Sequence, residues 1–156
     1  PDDIALSNLA IGQADIEFTP LQINQLTQII ANNGTYVNLS IYDSIIDNNK
    51  KTIKKYEQSK ESEIISPYTM TTIKEMMTKV SKVGTAKSLA DLEGGCGVKT
   101  GTAQSSLNGK KISHGWITGF YPEINPKYAI TVIVEGTESE SKSAVPIFRE
   151  ICENLK

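Results

Sequence analysis

The residues best suited to chemistry lie together in Val98-Lys99-Thr100-Gly101-Thr102-Ala103-Gln104. Lys99 is a compact point charge suited to an anionic group. The hydroxyls of Thr100 and Thr102 can donate to a carboxylate. Gly101 has no Cβ, so another molecule can approach the backbone closely. The backbone N–H of Thr102 can aim at a developing oxyanion. Lys-Thr-Gly alone recurs by chance, so its neighbours decide its meaning. Gly94-Gly95-Cys96-Gly97 stands before it and an apolar strand pair follows it.

Those neighbours carry a resemblance. Lys99 to Gln104, then His114-Gly115-Trp116-Ile117-Thr118-Gly119-Phe120 and Tyr128-Ala129-Ile130-Thr131-Val132-Ile133-Val134-Glu135, resemble the transpeptidase domain of penicillin-binding proteins. Ala10-Ile11-Gly12-Gln13, Thr19-Pro20-Leu21-Gln22 and Ala31-Asn32-Asn33-Gly34 resemble the monofunctional, class B members. The likeness runs from about Leu9 to Phe148 and covers the C-terminal part of the family's domain. Ala14 and Val98 stand where the family often has glycine. The resemblance implies that Lys99, Thr100, Gly101 and Thr102 bind substrate. Lys99 would set a positive potential, and Thr100 and Thr102 would hold the carboxylate of a D-alanyl-D-alanine stem peptide or a β-lactam. The Thr102 N–H would be half of an oxyanion hole. Strict strand alternation puts Lys99 and Thr100 on opposite faces, so their convergence on one ligand is implied by the family, with twist at Gly101, and not by spacing.

Serine acyl transfer in this family also needs a Ser-x-x-Lys helical turn and a Ser-x-Asn loop, both upstream of Lys-Thr-Gly. Neither occurs before Lys99. Ser139-Glu140-Ser141-Lys142 matches the first by letter, but it follows Lys-Thr-Gly in a polar stretch and reads as a solvated loop. Ser106-Leu107-Asn108 matches the second, but it reads as a hairpin turn. Residues 1–156 are therefore expected to be the C-terminal portion of a transpeptidase domain, inactive alone and completed by an upstream half. The expected activity is penicillin-binding D,D-transpeptidation of peptidoglycan, at the extracytoplasmic face of a bacterial membrane, with no cofactor and no metal. A β-lactamase, a β-lactam sensor and a non-catalytic binding module are the rivals. Upstream Ser-x-x-Lys and Ser-x-Asn motifs would decide for the enzyme.

The remaining candidates have plainer readings. His114 is the only histidine; a general base is one use, a strand residue packed on the sheet the other. The family's base is the missing lysine, which favours the second. Trp116 reads as core or cleft wall. Two cysteines, Cys96 and Cys152, make neither a disulfide framework nor a zinc spacing. Cys152 falls on the apolar face of the last helix.

The elements that must position Lys99 follow from periodicity. Thr19-Pro20-Leu21-Gln22 opens a helix with a capping box, and Ile23, Leu26, Ile29 and Ile30 make its stripe. Asn32-Asn33-Gly34 stops it. Residues 36–46 read as extended, with a turn at 47–49 and a return strand over 51–57. Ser66-Pro67 opens a second helix whose stripe is Met70, Ile73, Met76, Met77, Val80 and Val83, ending at Gly84. A helical turn runs from Ala86 to Leu92. A strand begins near Gly97, Asn108-Gly109 marks a hairpin, and 112–120 returns. Pro122 and Asn125-Pro126 turn the chain into 128–135, a β-branched run expected to be buried on both faces. Ala144, Ile147, Phe148, Ile151, Cys152 and Leu155 define a last helix. The expected class is α+β: a three-strand antiparallel meander covered by helices, the C-terminal part of a penicillin-binding-protein or serine β-lactamase fold.

Composition sets the outer bounds. The chain has 156 residues, 38% hydrophobic and 22% charged, enough for one core. A net charge of −2 gives no nucleic-acid footprint. Five lysines fall between Lys50 and Lys60, a run that reads as solvated surface. Without an upstream partner strand, 128–135 is an unpaired edge, and either self-association through it or a shift of the last helix to cover it is expected.

Overall fold

The computed structural model describes residues 3–155 except 11, 13–15, 58–60, 108 and 138–142. Its centre is an antiparallel meander in the order β5-β6-β7, formed by Gly97–Leu107, Lys110–Tyr121 and Tyr128–Glu135. The expected α+β arrangement is what the chain adopts. Gly109, at φ +74°, turns β5 into β6, while Asn108 lies outside the described residues. The register puts Lys99 opposite Thr118 and Thr118 opposite Thr131. Directly opposed residues share a face, so each such row assigns side chains to one layer or the other.

One face carries Val98, Thr100, Ile117, Ile130 and Val132. Helix α4, Ala144–Asn154, covers it with Val145, Phe148 and Cys152. A 3-10 turn at Lys87–Leu89 adds Ala86, Leu89 and Leu92 to the same cluster. The other face carries Phe120, packed on Ile30 of α2 (Pro20–Ala31) and on Met70 and Met77 of α3 (Pro67–Val83). Helix α1 is Asp3–Ala10, a segment for which periodicity gave no expectation.

Both helix starts form as their sequences require. Thr19 accepts from the Gln22 N–H, and Gln22 Oε1 accepts from the Thr19 N–H at 2.8 Å. Ser66 accepts from the Thr69 N–H. The stripes are less faithful. Leu26, Met76, Val83 and Ile147 are exposed, while Thr27 and Ser81 are buried. Counting apolar letters at helical spacing cannot tell which flank of a helix faces the sheet. Thr27 and Ser81 enter the interior because their hydroxyls find partners there.

The segment between α2 and α3 corrects the extended reading of 36–46. Only β1 (Thr35–Tyr36) and β2 (Ser44–Ile46) are strands. β1 pairs with β4 (Ser62–Glu63), and β2 pairs with β3 (Thr52–Lys55) as an exposed hairpin. In β7, the expectation of burial on both faces holds only in part. Ile130 and Val132 are buried beneath α4, and the alternate residues Ala129, Thr131 and Ile133 are half-buried. Asn24 of α2 reaches that side, donating to Ala129 O at 3.0 Å.

Candidate functional site

β5 is an edge strand, bonded only to β6 among the described strands. The candidate residues therefore line a rim rather than the middle of the sheet. Alternation holds along it. Lys99 and Gly101 point to the α2 and α3 face, Thr100 and Thr102 to the α4 face.

Lys99 is exposed, and its Nζ donates to the Thr100 carbonyl. Its row continues through a chain of hydroxyls. Thr118 Oγ1 lies 2.7 Å from Thr131 Oγ1 and 2.6 Å from Thr27 Oγ1, and Thr27 donates to Ile23 O at 3.0 Å. Each hydroxyl has one proton. Thr118 can spend its proton on Thr27 or on the Ile130 carbonyl at 3.3 Å, and in either case the three hydroxyls stay linked. This chain seats α2 on the sheet in the row that carries Lys99. It was not visible in the sequence, because a threonine inside a helix gives no sign that it faces inward.

Gly101 differs in kind from its neighbours. A Cβ built on Gly97 would lie 2.2 Å from the Phe120 ring, and one on Gly119 would lie 2.4 Å from Gly97 O. Those two glycines are demanded by the packing of the sheet itself. A Cβ on Gly101 would meet only Trp116 Cβ, at 3.8 Å. The interior does not require glycine there.

Thr100 is 6% exposed, and its hydroxyl lies 2.6 Å from that of Thr85. The fold thus sets Lys99 and Thr100 on opposite faces and does not bring them together. Thr85, just after α3, was not singled out from sequence; it orients the Thr100 hydroxyl. Thr102 is half-buried opposite Gly115.

Neither thiol is poised as a nucleophile. Cys96 and Cys152 are buried in one apolar cluster. Burial pushes the Cys96 thiol up to about 11 and the Cys152 thiol up to about 12. His114 bridges the hairpin, with Nε2 2.7 Å from the Ser105 hydroxyl and Nδ1 buried without a partner among the described residues. Trp116 is half-buried on the Gly101 face. Ser139-Glu140-Ser141-Lys142 lies outside the described residues. Among the described residues no group of three His, Cys, Asp or Glu is placed to hold a metal, and no helix is long and apolar enough to cross a membrane.

An exposed cation, a glycine that the fold does not need, and hydroxyl and N–H donors on an open strand can receive a carboxylate and its neighbouring carbonyl. Comparison with known proteins gives the family. Residues 3–153 match the penicillin binding protein transpeptidase domain. A peptidoglycan D,D-transpeptidase, PbpA of Mycolicibacterium smegmatis, is 31% identical over 136 residues, 86% of this chain and 27% of that protein. The crystal structure of PBPA from Mycobacterium tuberculosis superposes with a TM-score of 0.80 at 28% identity, covering 98% of this chain and 36% of that one. A ceftriaxone acyl-enzyme complex of the same mycobacterial protein gives 0.83 at 27% identity, covering 100% and 36%. The chain thus spans about a third of the relatives it matches.

Proposed function

The chain belongs to the penicillin-binding-protein transpeptidase family, and from that premise we propose that it forms the substrate-binding wall of a peptidoglycan D,D-transpeptidase. Residues 1–156 are, in this reading, the C-terminal portion of the catalytic domain. An upstream portion of the same domain supplies the serine nucleophile, its Ser-x-x-Lys lysine and the Ser-x-Asn loop. The serine oxygen attacks the penultimate D-alanyl carbonyl, terminal D-alanine leaves, and an acceptor amine then takes the acyl group. A β-lactam enters the same route and stops at the acyl-enzyme. The parent protein works at the extracytoplasmic face of a bacterial membrane.

Each residue of the wall has a role in that step. Lys99 attracts the substrate carboxylate and hydrogen-bonds toward the Ser-x-Asn serine. Thr102 holds the carboxylate, while Thr100, buried on the face opposite Lys99 with its hydroxyl taken by Thr85, fixes the strand from behind. The Thr102 N–H stabilises the oxyanion, where one donor is worth about 2.7–4 kcal/mol. The observation that carries the reading is the open space at Gly101 beside Lys99, which lets a ligand backbone lie against β5.

Labelling of the full-length protein with a fluorescent penicillin tests it. Wild type is expected to form a stable covalent adduct, and Lys99→Ala to acylate about 100- to 1,000-fold more slowly. The 156-residue chain alone is expected to keep an unshifted mass. Absence of any adduct on the full-length protein would favour a non-catalytic module. Rapid turnover of the adduct would favour a β-lactamase.

A further inference from the structure

We propose that the groove at the base of the β2–β3 hairpin is a carbohydrate subsite that binds an uncharged hexose ring of a glycan strand. The groove has a volume of about 490 Å³ and is lined by Val37, Leu39, Ser40, Tyr42, Asp43 and Tyr56, among others. Its aromatic wall is built. The Tyr42 and Tyr56 rings meet edge to face at 86°, with centroids 5.7 Å apart. Tyr56 pins the facing loop: its hydroxyl donates to Asn38 O at 2.9 Å and its N–H to Asp43 O at 2.6 Å. The Ser40 hydroxyl closes the loop by donating to Tyr42 O at 2.6 Å.

Two polar groups at this wall are unused. Neither the Tyr42 hydroxyl nor the Asp43 carboxylate has a partner among the described residues, and Tyr42 is 52% exposed. A pyranose offers one face of polarised C–H bonds, which stacks on an electron-rich ring. Its hydroxyls are donors that a carboxylate accepts. The Asp43 carboxylate is the charged acceptor among the lining residues of the groove itself. The hairpin beyond it carries Lys50, Lys51, Lys54 and Lys55, none in an ion pair among the described residues. Lys54 and Lys55, next to Tyr56 in the chain, suit carboxylates pendant on such a glycan. The groove lies on a different part of the chain from the Lys99 rim, so it adds a second hold on a polymer. The choice of an N-acetylated sugar rests on the peptidoglycan reading; the aromatic and carboxylate geometry does not.

The test is titration of chitotetraose, a neutral oligomer of N-acetylglucosamine, into the full-length protein by calorimetry, with penicillin labelling in parallel. Wild type is expected to bind saturably at millimolar sugar or below. Tyr42→Ala is expected to bind at least about tenfold more weakly, Tyr42→Phe to retain most of the affinity, and Asp43→Asn to bind more weakly than wild type. Tyr42→Ala should be acylated by penicillin at the wild-type rate, which shows that it is folded. No saturable binding by wild type, or wild-type affinity in Tyr42→Ala, would overturn the subsite. So would binding restricted to an anionic wall polymer and lost on Lys54→Glu. Sugar binding without penicillin labelling would leave the subsite standing and defeat the transpeptidase reading.

Discussion

At the scale of single residues, the glycines divide by what they leave room for. Gly119→Ala would push a methyl into Gly97 O at 2.4 Å and Val98 Cγ1 at 2.7 Å, with Phe148 at 3.1 Å behind. Overpacking of this kind costs about 1–3 kcal/mol or more, so its denaturation midpoint is expected to fall well below wild type. Gly101→Ala meets a single ordinary contact, and its stability is expected to stay within about 0.5 kcal/mol of wild type. Penicillin acylation of the full-length protein should nevertheless slow in Gly101→Ala. Equal stability loss in the two variants, measured by urea denaturation, would contradict this division. The thiols give a pH dependence. An ordinary cysteine sits near 9.0, whereas burial holds Cys96 at about 11 and Cys152 at about 12. Above pH 9 the unfolded chain loses thiol protons that the folded chain keeps. Stability is thus fully present below pH 9 and is lost as pH rises toward 11–12. Urea midpoints measured between pH 8 and 11 should fall, and the fall should shrink in a Cys152→Ala variant.

At the scale of elements, the helix that seats the Lys99 row depends on a local start. The Thr19 and Gln22 reciprocal bonds satisfy donors that would otherwise face water alone at the head of α2. Thr19→Ala is expected to cost about 0.5–2 kcal/mol, and Thr19→Ser to restore most of it. A wild-type unfolding midpoint in Thr19→Ala would show that the cap contributes nothing. The cap was legible because it is a pattern within four consecutive residues. The inner face of α2 was not. Leu26 is exposed and Thr27 buried because the position of β6 and β7, about a hundred residues later in the chain, decides which flank is covered.

At the scale of the whole molecule, β7 has one strand neighbour, β6, and presents its other edge to no strand among the described residues. Its sequence is β-branched and nearly free of charge from Tyr128 to Val134. Such an edge is a template for pairing. The 156-residue chain is expected to self-associate with rising concentration, read by size-exclusion chromatography with light scattering. A clean monomer whose amides in 128–135 exchange freely would show that the edge neither pairs nor is covered.

What the sequence determined by itself was whatever depends on neighbours in the chain: caps, turns, the β-branched strands, and the Lys99 to Thr102 run with its resemblance. A three-strand meander is such a case, since each turn connects adjacent strands and register follows from short connections. What the tertiary structure decided depends on groups brought from far apart. Thr85 takes the Thr100 hydroxyl, Thr27 joins Thr118 and Thr131, and Tyr42 meets Tyr56 at the groove. Gly101 and Gly119 are the same letter, and only the atoms packed around each tell that one is required by the core and the other is left open. The physical reason is that sterics and hydrogen-bond saturation are properties of a volume, and a linear pattern specifies a residue's type before it specifies what fills the space beside it.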